Sequence, residues 1–160
     1  MGFILKSTAR ASLFMAALML ACAASAQELS LDLQQEVDAL QKKVDAFFLT
    51  LTADKMLGPE RAIREIIGNG PLKTRTDDIN KLIEQAIGLD SRYGPYTGHE
   101  QASVKAVGSD LVLLRFLYKS EKFPVVWHFT FYRTTGPSGI KRDWSLIGLK
   151  FDSKLDVFER

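Results

Sequence analysis

Cysteine is almost missing from this sequence: its 160 residues include one, Cys22. A lone cysteine closes no intramolecular disulfide, so stability has to come from an ordinary hydrophobic core. Histidine is nearly as scarce, with only His99 and His128. Neither has a carboxylate at ligand spacing in the sequence, so neither a metal site nor another cofactor is expected. A glycine-rich phosphate loop, a serine-nucleophile elbow and a basic-aromatic nucleic-acid surface are also lacking. Charge of one sign is missing as well. Setting Lys6 and Arg10 aside with residues 1–26 takes the 21 basic residues to 19, equal to the 19 acidic ones. An electroneutral domain has no general pull on nucleic acid or anionic lipid.

What the sequence does have begins with an address. Lys6 and Arg10 form a positive start, and Ala11 to Ala21 is an apolar run too short to span a bilayer. Ala24-Ser25-Ala26 is a small-x-small cleavage site before Gln27. Residues 1–26 are therefore expected to be a signal peptide, and 27–160 a single exported domain, periplasmic or secreted, without a transmembrane helix. A rival route is open at Met19-Leu20-Ala21-Cys22, which loosely resembles a lipobox and anchors the chain by lipidation of Cys22.

Helical periodicity fills the first half of the expected domain. From Gln27 to Thr52, Leu33, Val37, Leu40, Val44, Phe47 and Leu51 recur at steps of three and four and form one stripe. That stripe suits packing on the domain's own sheet, or a short coiled-coil seam. Gly58-Pro59 starts a second helix, buried through Ala62, Ile63, Ile66 and Ile67, and Gly68-Asn69-Gly70-Pro71 ends it. Thr76 is expected to cap a third helix, which buries Ile79, Leu82, Ile83, Ala86 and Ile87. Leu89 to Gly98 then reads as a loop, with Tyr93 and Tyr96 either pinning it to the domain or forming a pocket lip.

From Glu100 the period becomes two. Four strands are expected over Glu100–Val107, Leu111–Lys119, a third centred on Val125–Arg133, and Asp143–Phe151. In the third, Trp127, Phe129 and Phe131 alternate with His128, Thr130 and Tyr132, giving one apolar and one mixed face. In the fourth, Trp144 and Leu146 differ in parity from Leu149 and Phe151, and a bulge at Gly148 restores them to one face. The fold class expected is α+β, with N-terminal helices packed on a strongly curved four-stranded antiparallel sheet.

Phe129-Thr130-Phe131-Tyr132-Arg133 and the stretch from Trp144 to Asp152 resemble the closing strands of small exported members of the nuclear-transport-factor-2-like superfamily. The resemblance covers the whole expected domain. It implies a cone fold, in which a long helix and two shorter ones lie across a bent sheet and leave a pocket between them. The superfamily includes isomerases, dehydratases, polyketide cyclases and non-catalytic binding modules. Members that resemble ketosteroid isomerase use a pocket aspartate as base, with a tyrosine and a second acid as oxyanion donors. Asp45, Asp54 and Asp152 do not reproduce that set.

On the mixed face of the third strand, His128 and Tyr132 are the candidates for acid–base work. Arg115 and Arg133 lie on otherwise apolar faces and need either an acidic partner, Glu100 for Arg115, or a ligand anion. The expected ligand-binding residues are Tyr93, Tyr96, Arg115, Tyr118, Trp127, His128, Tyr132 and Arg133. The functional expectation is an exported, non-catalytic domain that binds a small apolar or amphipathic molecule or a protein partner. The alternatives are a proton-transfer enzyme using the same pocket, and a structural homodimer joined across the outer sheet face.

Overall fold

The computed structural model describes residues 31–136 and 138–153. The expected leader, its cleavage site and Cys22 lie outside the described residues. Helix α1 (Leu31–Ala53) carries the expected stripe: Leu33, Val37, Leu40, Val44, Phe47 and Leu51 are all buried, and Phe48 with them. The stripe packs on the sheet, and Phe47 also lies beside the buried face of the second helix at Ala62 and Ile66. The Phe47 ring centroid lies 5.1 Å from that of Trp127 and 5.3 Å from that of Phe129, both edge-on. Edge-to-face contacts at this spacing suit the ring quadrupoles.

Helix α2 (Gly58–Ile67) starts at the expected Gly-Pro. Asp54 accepts from the Met56 and Leu57 amides, both at 2.8 Å, and these bonds hold its carboxyl below the usual range. A Cβ on Gly58 would stand 2.6 Å from the Leu51 carbonyl oxygen, so the tight α1–α2 corner needs a residue without a side chain. After α2 comes a short 3-10 turn, Pro71–Thr74, which sequence periodicity did not reveal. It runs directly into helix α3 (Thr76–Ile87). Thr76 is therefore already helical rather than the cap, and no side-chain cap is formed. Arg75 takes the preceding position, where its carbonyl accepts from Ile79 and its guanidinium meets Asp78 at 2.7 Å.

The expected Leu89–Gly98 loop is mostly regular structure. Leu89–Tyr93 is a fourth helix, α4, closed by Gly94, whose φ of 91° favours glycine. Strand β1 (Tyr96–Val107) begins four residues earlier than expected, because Tyr96, Gly98 and His99 all find partners on β2. With β2 (Leu111–Ser120), β3 (Val125–Tyr132) and β4 (Ser145–Asp152) it forms an antiparallel sheet of order β1-β2-β3-β4. Val112, Leu114, Phe116 and Tyr118 of β2 and Val125, Trp127, Phe129 and Phe131 of β3 face the helices and are buried. This is the expected α+β class.

The bulge expected in β4 is present. Thr130 pairs with Gly148 and Phe131 with Leu146, leaving Ile147 as the inserted residue. Leu146, Leu149 and Phe151 thereby pair with Phe131, Phe129 and Trp127 of the core face. Trp144 precedes the strand and is only partly buried. The strong curl expected of the sheet is not present. Register breaks lie between β1 and β2 and between β3 and β4, whereas β2 and β3 pair without interruption from Leu111–Tyr132 to Tyr118–Val125. A bend confined to the edge pairs leaves the centre of a sheet regular. No helix of the described residues is long and apolar enough to cross a membrane.

Candidate ligand-binding cavity

One end of the helix–sheet sandwich is open, where the C-terminus of α1 and the last turn of α3 meet α4 and the first residue of β1. A cavity of about 600 Å³ lies there, within the range of small-molecule sites. Leu51, Met56, Pro59, Ala86, Ile87 and Leu89 supply apolar wall. Thr52, Lys55, Asp90, Ser91, Tyr96 and Tyr118 supply the polar part. The alternation of β2 puts Tyr118 on the core face at the strand's end, and Tyr96 opens β1 beside it, with ring centroids 4.9 Å apart.

Two hydrogen-bonded chains converge on these tyrosines. In the first, the Tyr96 hydroxyl lies 2.5 Å from His99 Nδ1, and His99 Nε2 lies 3.1 Å from Asp45 Oδ1 on α1. The His99 ring also stacks on Phe48, with centroids 4.5 Å apart, which fixes its plane. In the second, the Tyr118 hydroxyl donates to Asp90 Oδ1 at 3.4 Å, and Lys55 Nζ meets Asp90 Oδ2 at 3.2 Å. Burial, then the charge of Asp45, pushes the Tyr96 phenol above its ordinary value. Burial, then the charge and hydrogen bond of Asp90, pushes Tyr118 well above its own. Both rings are held as neutral phenols.

Of the residues expected at a site, Tyr96 and Tyr118 line this cavity. Tyr93 instead closes α4 and packs near Phe123, so of the two loop tyrosines one pins the chain and the other forms the lip. Trp127 is fully buried in the core. Arg133 is also buried, with its donors spent inside the fold: Nη1 on Glu36 at 2.6 Å, and Nη2 and Nε on the Ser109 carbonyl at 2.9 and 3.2 Å. The Trp144 ring covers its guanidinium at 4.5 Å. Glu100, expected beside Arg115, meets Lys119 at 2.6 Å, and Arg115 pairs in register with Ser103 and His128.

His128 lines a second, smaller cavity of about 280 Å³ at the β4 edge, with Thr130, Gly148, Ile79 and Leu82. Its Nε2 is 3.3 Å from Asp152 Oδ2, an ion pair only when the ring is protonated. Burial, the largest influence, lowers the His128 pKa, with Asp152 opposing and Lys150 and Arg115 adding to the fall. Tyr132 is four strand positions away, roughly 13 Å, and faces solvent on the outer sheet surface. The two expected acid–base partners are too far apart to work on one bond.

Asp45, Lys55, Asp90 and His99 were not among the expected site residues. Asp45 shares a turn of α1 with buried Val44 and Phe48, and that adjacency was readable. Its pairing with a histidine 54 residues later was not. No three His, Cys, Asp or Glu side chains group as metal ligands among the described residues. No protein-family model, curated protein or solved structure matches this chain.

Proposed function

We propose that this chain is an exported binding module that holds a small amphipathic molecule in the cavity between α1, α3, α4 and the start of β1. The observation that carries the reading is the cavity's make-up: apolar wall on the helix side, and the Tyr96, Tyr118 and Asp90 group at one end. Such a cavity buries a hydrocarbon body and orients a polar head. Export rests on the leader pattern of residues 1–26. Kinship with the nuclear-transport-factor-2-like superfamily belongs to the same proposal. It is supported by the order of helices before a four-stranded meander and by a cavity at the open end between the two layers.

The Tyr96–His99–Asp45 chain favours comparison with a proton-transfer reading. A tyrosine that works as a base needs its pKa lowered toward the working pH. Here the shifts of Tyr96 and Tyr118 both run upward, which supports static hydrogen bonding over proton abstraction. The binding reading is tested with Nile red, a neutral dye whose emission rises in apolar surroundings. Saturable one-to-one binding is expected, and an Ile87→Trp variant with an unchanged melting temperature loses it by filling the cavity. Dye binding that is indifferent to Ile87→Trp refutes the assignment.

A further inference from the structure

We infer that the polar end of this cavity receives an ammonium group, so that the ligand is an amphipathic amine rather than a fatty acid or a neutral lipid. The inference rests on the binding reading above and is carried by where the protons are. Asp45 is a carboxylate and can only accept, so in neutral His99 the proton on Nε2 points to it. In that tautomer Nδ1 is a lone pair, and the Tyr96 hydroxyl donates to it. Tyr118 donates to Asp90. Thr52 donates to the Phe48 carbonyl, and Ser91 to the Gly88 carbonyl, both at 2.9 Å.

Each hydroxyl lining the cavity has thus committed its proton to the protein and keeps only acceptor lone pairs for a guest. The carboxylate of Asp90 adds two more acceptor oxygens and a negative charge. An ammonium has donors and no acceptors, so it matches this set. A ligand carboxylate would meet hydroxyl oxygens with no proton to offer and the charge of Asp90, and could reach the Lys55 ammonium only by drawing it off Asp90. The structure also holds a stand-in: Lys55 places its own ammonium 3.2 Å from Asp90. That side chain is 78% exposed, so the pair is weak and a guest amine with a buried tail displaces it readily.

The test compares n-octylammonium, octanoate and n-octanol by isothermal titration on the whole protein at neutral pH. At least tenfold tighter binding of n-octylammonium than of octanoate is expected. Asp90→Asn should erase that preference while n-octanol still binds. Lys55→Met, a change at an exposed position, should tighten n-octylammonium several-fold by removing the resident competitor. Octanoate binding as well as the amine, or Lys55→Met weakening the amine, overturns the ammonium assignment and leaves the cavity reading standing. If none of the three probes binds, the cavity reading itself fails, and this inference with it. Should Asp90→Asn melt early, the probe comparison and Lys55→Met still decide.

Discussion

Replacing Arg133 with Met tests whether one buried guanidinium holds three parts of this fold together. Its partners come from different places: Glu36 on α1, Ser109 and Asp110 in the β1–β2 turn, and the Trp144 ring before β4. Truncating one partner of a buried ion pair costs about 3–5 kcal/mol, because the other charge is left stranded. The stranding is incomplete for Asp110, which keeps 38% of its side chain in solvent, but Glu36 Oε2 is buried without a partner and would be left so. We therefore expect about 2–4 kcal/mol for Arg133→Met, toward the lower part of that range. At about 4 °C per kcal/mol for a domain of this size, the melting temperature falls by roughly 8–16 °C. Glu36→Gln should cost only about 1 kcal/mol, because its amide oxygen still accepts from Nη1. Arg133→Lys should recover less than half of the loss, since an ammonium lacks the planar fork that reaches both Glu36 and the Ser109 carbonyl. Thermal and urea melts followed by circular dichroism read all three variants. Equal losses for Arg133→Met and Glu36→Gln would refute the reasoning, because the effect would then lie in a single pair rather than in the junction.

Trp127 is fully buried with an indole N–H that has no hydrogen-bond partner. Trp127→Phe should therefore cost about 1–2 kcal/mol by urea denaturation, against about 3–5 kcal/mol for Trp127→Ala. Absorbance at 295 nm during alkaline titration should show Tyr96 and Tyr118 ionising above the ordinary value of 10, with the latest step absent in Tyr118→Phe. Their raised values favour the protonated fold, so this contribution is intact below pH 10 and is lost as the pH rises beyond it. His128 has the opposite sense. Its lowered value means that the unfolded chain binds more protons just below pH 6.5, so stability falls as the pH drops from 6.5. His128→Gln should flatten that part of a stability-against-pH curve, and an unchanged slope would show that other groups carry it.

The elements built on long periodic stripes were legible in the sequence. Leu33 to Leu51 gave α1 its buried face, and the parity change between Leu146 and Leu149 located the β4 bulge to within a residue. Short elements escaped, since Pro71–Thr74 and Leu89–Tyr93 are too brief to show a period and are set by neighbours. The sequence separated an apolar from a mixed face on β3 but not which of them is core: Trp127, expected at a ligand site, lies fully buried on the core row and cannot line an open site. The cavity depends instead on pairs far apart in the chain: Asp45 with His99, Asp90 with Tyr118, and Lys55 with Asp90. Such pairs are created by helix packing and leave no spacing to read. Tyr96 was visible as a candidate because a loop tyrosine can form a pocket lip, although it opens a strand instead.

The two register breaks of β1 bear on how the protein behaves at high concentration. Among the described residues β1 is an edge of the sheet, and an edge offers unpaired amides and carbonyls to any other chain in extended form. On β1 the regular ladder is broken between Tyr96 and Gly98 and again between Gln101 and Ser103. An incoming strand keeps register only over short stretches, Gly98–Gln101 and Ser103–Val107, and meets the exposed charges of Glu100 and Lys105. The irregularities beside Tyr96, which lines the cavity, thus also deny the edge to fibril-like stacking. Straightening β1 by deleting Ala102 should leave a protein that precipitates at concentrations where the parent stays in solution.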